Sequence, residues 1–174
     1  TDSLQFFDEN VRLDGGLHLT PERMTGQGVF YFERAELASQ SFSMKEHLID
    51  ADVASFQLTG TDLNEVAFGT DNVSAHVDFD ARRGDFKAHD GASMIDLPAI
   101  RYQCMMDEFS WFMDEDKLDL INSLVDPSAM TFQELSDRSQ SNFFCTDGDQ
   151  DGLHFLSPRA TYQVEEAFVE CHQV

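Results

Sequence analysis

Apolar and polar residues alternate along most of the chain. In "NVSAHVDFD", residues 72–80, every second residue from Val73 to Phe79 is apolar and the residues between them are polar. The same alternation recurs in "GVFYFERAEL" (28–37), "SMIDLPAIRYQC" (93–104) and "KLDLINS" (117–123). Alternation with a period of two is typical of half-buried strands, and the frequent Gly, Asn, Asp and Pro residues mark turns between them. The pattern predicts an all-β fold.

Helical signals are confined to one stretch. "DPSAMTFQELSDRSQ", residues 126–140, begins with Asp-Pro and continues with spaced apolar residues, which predicts one short helix near 127–138. The C-terminal "TYQVEEAFVECHQV" fits a helical period and a strand about equally well. We expect strand there, because the neighbouring segments are strands.

One short pattern occurs several times. "GLHLTPERMTG" (16–26) and "GLHFLSPRATY" (152–162) both place two apolar positions before a polar four-residue connector and two inward positions after it. The full set of connectors is TPER, ERAE, DARR, DEDK and LSPR. We interpret the pattern as strand, kink and strand, a unit that buries its inner face only by stacking on the next unit. An ordinary antiparallel sandwich whose hairpins share this pattern is the alternative.

Stacked units of this kind predict an elongated β-jellyroll or β-solenoid of bent strand pairs. Residues 1–174 would form a single β-rich domain that is a segment of a longer repeat protein. Its open edges would pair with neighbouring copies or adjacent repeats. The predicted apolar lining consists of Phe30, Phe32, Val77, Phe79, Trp111, Met113, Leu153 and Phe155.

Composition narrows the classes of function. The chain has 33 acidic and 11 basic side chains, and its formal net charge is −22. This charge repels phosphate backbones, so we expect no nucleic-acid partner. Hydrophobic residues make up 41% of the chain, and the 16 Phe suggest a Phe-built core. No apolar run approaches the ~18 residues of a membrane-spanning helix.

Two segments resemble the repeats of OstA-like proteins, the periplasmic bridge domains of lipopolysaccharide transport. They are "NVSAHVDFDARRGDFKAHDG" and "LHFLSPRATYQVEEAFVECHQV", and the "D-x-x-x-G" kink of such repeats is matched from Asp80 to Gly84. Other segments, "LTPERMTGQGVF" and "MDEFSWFMD", are similar to large envelope proteins of Bacteroidetes-type bacteria. The resemblance implies a bent β-jellyroll whose apolar interior cradles acyl chains and which stacks end to end. The net charge of the chain does not fit this implied role, since binding an anionic glycolipid would need bridging divalent cations.

The sharpest local motif is "DGDQDG", residues 147–152. Asp147, Asp149 and Asp151 alternate before a Gly, as in the first half of an EF-hand-type calcium loop, but Pro158 stands where the bidentate Glu is required. Calcium is therefore a hypothesis beside a plain hairpin turn. If it binds, a calcium-stabilised carbohydrate-binding or adhesin β-sandwich is the alternative function.

Enzymatic motifs are weak. The acidic residues between 107 and 116 would suit a fragment of a β-helical polysaccharide lyase or hydrolase, but consecutive carboxylates are typical of a solvated turn. Cys104, Cys145 and Cys171 lack CxxC spacing; a Cys145–Cys171 disulfide and buried free thiols both remain open. We predict no catalytic residues and no obligatory cofactor.

The function that we expect is a non-enzymatic module of the bacterial envelope, located in the periplasm, at the cell surface or outside the cell. Its role would be structural, or it would carry an apolar ligand such as a lipid or glycolipid.

Overall fold

The computed structural model describes residues 3–6, 10–61, 65–135 and 137–172. These residues form one antiparallel sheet of 15 strands with very little helix, so the all-β prediction is confirmed. The strands are β1 (Ser3–Phe6), β2 (Val11–Leu19), β3 (Met24–Phe32), β4 (Ala35–Lys45), β5 (Leu48–Thr59), β6 (Val66–Asp78), β7 (Arg83–Ala88), β8 (Ser93–Leu97), β9 (Tyr102–Met106), β10 (Glu108–Phe112), β11 (Lys117–Ile121), β12 (Phe143–Cys145), β13 (His154–Phe155), β14 (Arg159–Gln163) and β15 (Phe168–His172).

The sheet is open and branches once. Its main path runs β1-β2-β3-β4-β5-β6-β7-β10-β11-β14-β15. The long strand β6 pairs with β7 through residues 73–78 and with β8 through Gly69 and Thr70. From β8 the branch continues through β9 and β12 to β13. Beyond β6, therefore, two shorter rows of strands lie side by side along one longer sheet.

Polar residues lie where the two rows meet. Asp107 separates β9 from β10, Asn122 follows β11, Asn142 precedes β12, and Ser157 separates β13 from β14; all four are buried. Their backbone groups continue the pairing, since Asp107 N donates to Ile121 O at 3.0 Å and Asn122 N donates to the Pro158 carbonyl at 2.7 Å. We call these four residues the polar crease.

The sheet folds over on itself around an aromatic core. The rings of Phe32 on β3 and Trp111 on β10 are 5.9 Å apart, although five steps of strand pairing separate their strands. Phe56 on β5 contacts Phe86 at 4.3 Å and Phe109 at 6.0 Å. The Phe-built core expected from composition is confirmed.

The predicted helix is short. Between β11 and β12 lie a 3-10 turn (Pro127–Ala129), the helix α1 (Phe132–Leu135) and a 3-10 turn (Arg138–Gln140); a further 3-10 turn spans Pro98–Ile100 and another Gly148–Gln150. Thr131 and Glu134 cap α1 reciprocally, since Glu134 N donates to Thr131 Oγ1 at 3.3 Å and Thr131 N donates to Glu134 Oε2 at 2.8 Å. No helix in the described ranges has the length and apolar character that crossing a bilayer requires.

The repeated connectors have two different structures. TPER, ERAE, DARR and DEDK are hairpin turns, because the strands that flank each of them pair with one another. These four connectors are thus hairpins, as in the alternative interpretation, and the strand, kink and strand interpretation is wrong for them. LSPR is different: it lies between β13 and β14, which do not pair, and it contains Ser157 of the polar crease. The ambiguous C-terminal segment forms β14 and β15, as expected.

Candidate functional site

Most of the predicted apolar lining lies inside the core. Phe30, Phe32, Val77, Phe79, Trp111 and Met113 are all buried. Phe155 is half-buried and stacks on Phe143 with ring centroids 4.9 Å apart. Leu153 is 51% exposed, so its assignment to the lining is wrong. It precedes β13 in the loop after Gly152, where strand alternation does not yet apply.

A glycine on β7 makes room for the Phe86 ring beside the tryptophan of the core. Gly84 on β7 lies directly opposite Trp111 on β10. A Cβ at position 84 would lie 2.8 Å from the Phe86 ring and 3.8 Å from Trp111. The indole therefore packs over backbone at this point, and it contacts Phe32 and Phe56.

Two buried side-chain polar atoms have no hydrogen-bond partner among the residues that the structure describes. They are Trp111 Nε1 and Tyr162 Oη. Both residues face inward in the same cross-strand row, with Leu118 between them. Burial, and secondarily the charge of Asp116, raises the pKa of Tyr162 to about 12. Tyr162 is thus a neutral phenol in the folded protein at ordinary pH.

The aspartates of the candidate calcium loop are not gathered around a common point. Asp147 accepts hydrogen bonds from Arg101 Nη1 at 2.8 Å and from Asp149 N at 3.1 Å. These bonds lower the pKa of Asp147, the backbone bond from Asp149 having the largest effect. Asp151 ends the 3-10 turn in a left-handed conformation, φ 49°. Within the described part of the chain, no three His, Cys, Asp or Glu side chains are grouped as a metal site.

The acidic residues considered for catalysis make structural contacts. Asp107 accepts from Ser123 N at 2.7 Å and from the Ser123 hydroxyl, and so closes the turn after β11. Asp114 accepts from Arg82 Nε at 2.9 Å, and Asp116 forms an ion pair with Arg34. The Arg34–Asp116 pair ties the β3–β4 turn to the β10–β11 turn.

All three cysteines are free thiols, so the possible Cys145–Cys171 disulfide is not formed. Burial raises the pKa of Cys104, and it also raises that of the half-buried Cys171. Neither thiol is activated as a nucleophile, because a nucleophilic cysteine needs a lowered pKa.

A polar row on the outer face was missed by the sequence analysis. From Asp50 on β5 to Glu170 on β15, carboxylates alternate with His or hydroxyl side chains on successive strands. The whole row, one residue from each of ten paired strands, is His18, Thr25, Ser43, Asp50, His76, Asp85, Ser110, Asp119, Thr161 and Glu170. Only the pairing register reveals it, because its members are scattered over the whole chain.

Three side chains of this outer row, those of His76, Ser110 and Thr161, contact acidic neighbours in the row. His76 Nδ1 lies 2.5 Å from Asp50 Oδ1. Ser110 Oγ donates to Asp85 at 2.6 Å, and Thr161 Oγ1 donates to Asp119 at 3.0 Å. The alternation separates like charges that would repel each other on adjacent strands.

Two apolar rows run across the inner face on either side of the outer row. One consists of Leu19, Met24, Met44, Ile49, Val77, Gly84, Trp111, Leu118, Tyr162 and Val169. The other consists of Leu17, Gly26, Phe42, Ala51, Ala75, Phe86, Phe109, Leu120, Ala160 and Cys171. Both rows are buried in their middle and less buried at their ends, where Leu17, Val169 and Cys171 are partly buried and Leu19 is 65% exposed.

Comparison with known proteins finds no matching family model, no matching curated protein and no matching solved structure.

Proposed function

We propose that this protein is a non-enzymatic structural module that supports or spaces its neighbours. The observation that carries the proposal is the filled core: the side chains that would line a ligand groove pack against one another. Phe32 meets the Phe79 ring edge-on at 5.2 Å, and Phe86 stacks on Phe109 at 4.5 Å. An acyl chain in this interior would have to displace aromatic rings that already exclude water from each other.

The finer architecture belongs to the same proposal. Short strands of the two rows follow one another across the polar crease. β9 leads into β10, and β13 leads toward β14. We infer a jellyroll-like or solenoid-like body of bent strand pairs, to which neighbouring copies or adjacent repeats add through the sheet edges. An envelope or extracellular location, like the OstA-like assignment, rests on the resemblance of the sequence alone.

A lipid-carrying role is the second candidate, and one observation favours it. The partnerless Trp111 Nε1 and Tyr162 Oη are both able to donate to an acceptor oxygen in an otherwise apolar interior. An ester or carboxylate oxygen of a lipid or glycolipid would satisfy them.

Lipid extraction separates the two roles. The purified full chain is extracted with organic solvent, and the extract is analysed by mass spectrometry. The unextracted protein is analysed in parallel by native mass spectrometry. A structural module yields no lipid in stoichiometric amount, and its melting temperature does not rise when a long-chain fatty acid is added. One lipid per chain, or a rise in melting temperature that the Tyr162→Phe variant loses, would establish the carrier role instead.

A further inference from the structure

Among the described residues, several stretches of strand have a paired neighbour on one side only, and two of them matter here. Among the described residues, β15 pairs with β14 alone. On β2, the pairing with β1 covers residues 11–14, and within the part of the chain that the structure describes residues 16–19 pair with β3 alone. Such edges present unpaired backbone groups to a further strand.

These two edges are the opposite ends of the same three rows. The outer polar row ends in His18 on β2 and in Glu170 on β15. The inner rows end in Leu17 and Leu19 at one edge and in Cys171 and Val169 at the other. The inner-facing Leu17, Val169 and Cys171 are each partly buried against the core, and Leu19 is largely exposed.

Strand direction allows the two edges to pair. Every step of pairing from β2 to β15 is antiparallel, and ten strands take part, so β15 runs opposite to β2. A second copy placed beside β15 therefore offers its β2 in the antiparallel sense. Inner-facing residues then meet inner-facing residues, because side chains alternate along both strands.

We propose that a second copy of this chain docks head to tail, with β15 of one copy pairing with residues 16–19 of β2 in the next. The register places Val169 opposite Leu19, Glu170 opposite His18 and Cys171 opposite Leu17. This inference rests on the structural role proposed above and names its partner.

The charged residues at the two edges favour head-to-tail pairing over the pairing of two β15 strands. Head-to-tail pairing sets the Glu170 carboxylate beside His18, which continues the alternation of acid and hydrogen-bonding neighbour along the outer row. Two β15 strands paired with each other about Glu170 would instead oppose two carboxylates, and like charges directly opposite each other destabilise a strand pair. Because the two edges are different surfaces, the contact is heterologous and produces chains of copies that grow with concentration.

Sedimentation velocity of the full chain over a wide concentration range tests the docking. The wild type should form a series of species larger than a dimer. Glu170→Lys should weaken association about tenfold, since it removes the carboxylate that accepts from His18 across the strand pair. The double variant His18→Glu, Glu170→Lys should restore it. The matched control is Glu36→Lys, the same charge change at an exposed position on β4 in mid-sheet, and it should associate as the wild type does.

A disulfide tests the register. In a Leu17→Cys variant, oxidation should join the new thiol to Cys171 of another copy, because directly opposed residues in a strand pair lie near disulfide range. Leu124→Cys, at an exposed position outside both edges, should not crosslink to Cys171. Peptide mass spectrometry identifies the joined residues.

A wild type that stays monomeric at every concentration, a closed dimer, or association that Glu170→Lys leaves unchanged would each overturn the docking. Association without the 17–171 crosslink would overturn the register. None of these outcomes depends on whether lipid is extracted from the protein, so a failure of the structural role and a failure of the docking are seen separately.

Discussion

The polar crease should be a sensitive point for stability, and Asn142 is its most connected side chain. Its Nδ2 donates to the Ser157 carbonyl at 2.8 Å and more weakly to the Met105 carbonyl at 3.3 Å. Its Oδ1 accepts from Ser157 N at 2.8 Å. Ser157 is fully buried, so water does not readily replace these bonds. Asn142→Ala therefore leaves both backbone groups of Ser157 unpaired in the interior.

The expected loss follows from those two groups. A buried donor or acceptor left unsatisfied costs about 1–3 kcal/mol. For two groups, with partial relief from water entering the truncated site, we expect the free energy of unfolding to fall by about 3 kcal/mol. In a chain of this size that corresponds to a melting temperature lower by ~6–12 °C.

Urea denaturation followed by tryptophan fluorescence measures the effect, with Trp111 as the only tryptophan in the chain. The midpoint should fall while the slope stays constant, since the mutation changes stability and not the surface exposed on unfolding. Gln40→Ala removes an exposed amide from β4 and should cost less than about 0.5 kcal/mol. If Asn142→Ala costs no more than this control, the crease is not held by its side-chain hydrogen bonds.

Four further outcomes are expected. Gly28→Ala should destabilise the protein by about 2–4 kcal/mol in a melting experiment, because Gly28 has φ +129° and a Cβ there would lie 2.3 Å from a carbonyl oxygen of β2. Gly16→Ala, whose Cβ would meet nothing nearer than 3.6 Å, should cost less than about 1 kcal/mol, and equal losses would contradict the strain argument. Tyr162→Phe should be neutral or stabilising by about 1 kcal/mol, since it removes a partnerless hydroxyl, and a clear loss would mean that the hydroxyl is bonded. The pKa of Tyr162 is raised to about 12 in the folded state, so the stability gained by keeping the phenol neutral is complete below pH ~10 and is lost as the pH rises toward 12. Absorbance at 295 nm during a pH titration detects the ionisation of the phenol. Ionisation of every tyrosine near pH ~10 would refute the prediction. Cys104 should react with a thiol reagent only on unfolding while Cys145 reacts in the native state, and equal rates would show that Cys104 is accessible.

The sequence was sufficient for the features that depend on local geometry. Strand alternation places every second residue from Val73 to Phe79 on one face, and these residues are buried. The period-two pattern works here because residues 73–78 of β6 alternate between buried and more exposed positions, whereas residues 67–70 are all buried. The short helix was also predictable, because Asp126 and Thr131 cap their turns through contacts within three residues.

Features that depend on distant partners were not predictable. TPER and LSPR have similar composition, but the first is a hairpin turn and the second a break in the sheet. The difference lies in pairing: β3 returns beside β2, whereas β14 pairs with β11 and β15. The contacts of the candidate calcium loop were not predictable for the same kind of reason, since Asp147 is engaged by Arg101, which is 46 residues away in the chain.

The polar crease and the open edges have a common physical basis. A sheet that folds over on itself must interrupt strand pairing along a line, and the freed backbone groups need partners. Here the Asn122 side chain donates to Met105 O at 2.9 Å, and the Asn142 side chain accepts from Ser157 N at 2.8 Å. Because each bend is satisfied locally, an added bent strand pair can continue the sheet without changing the bends already present. In the solenoid-like body proposed above, a further strand pair would extend the sheet from β15.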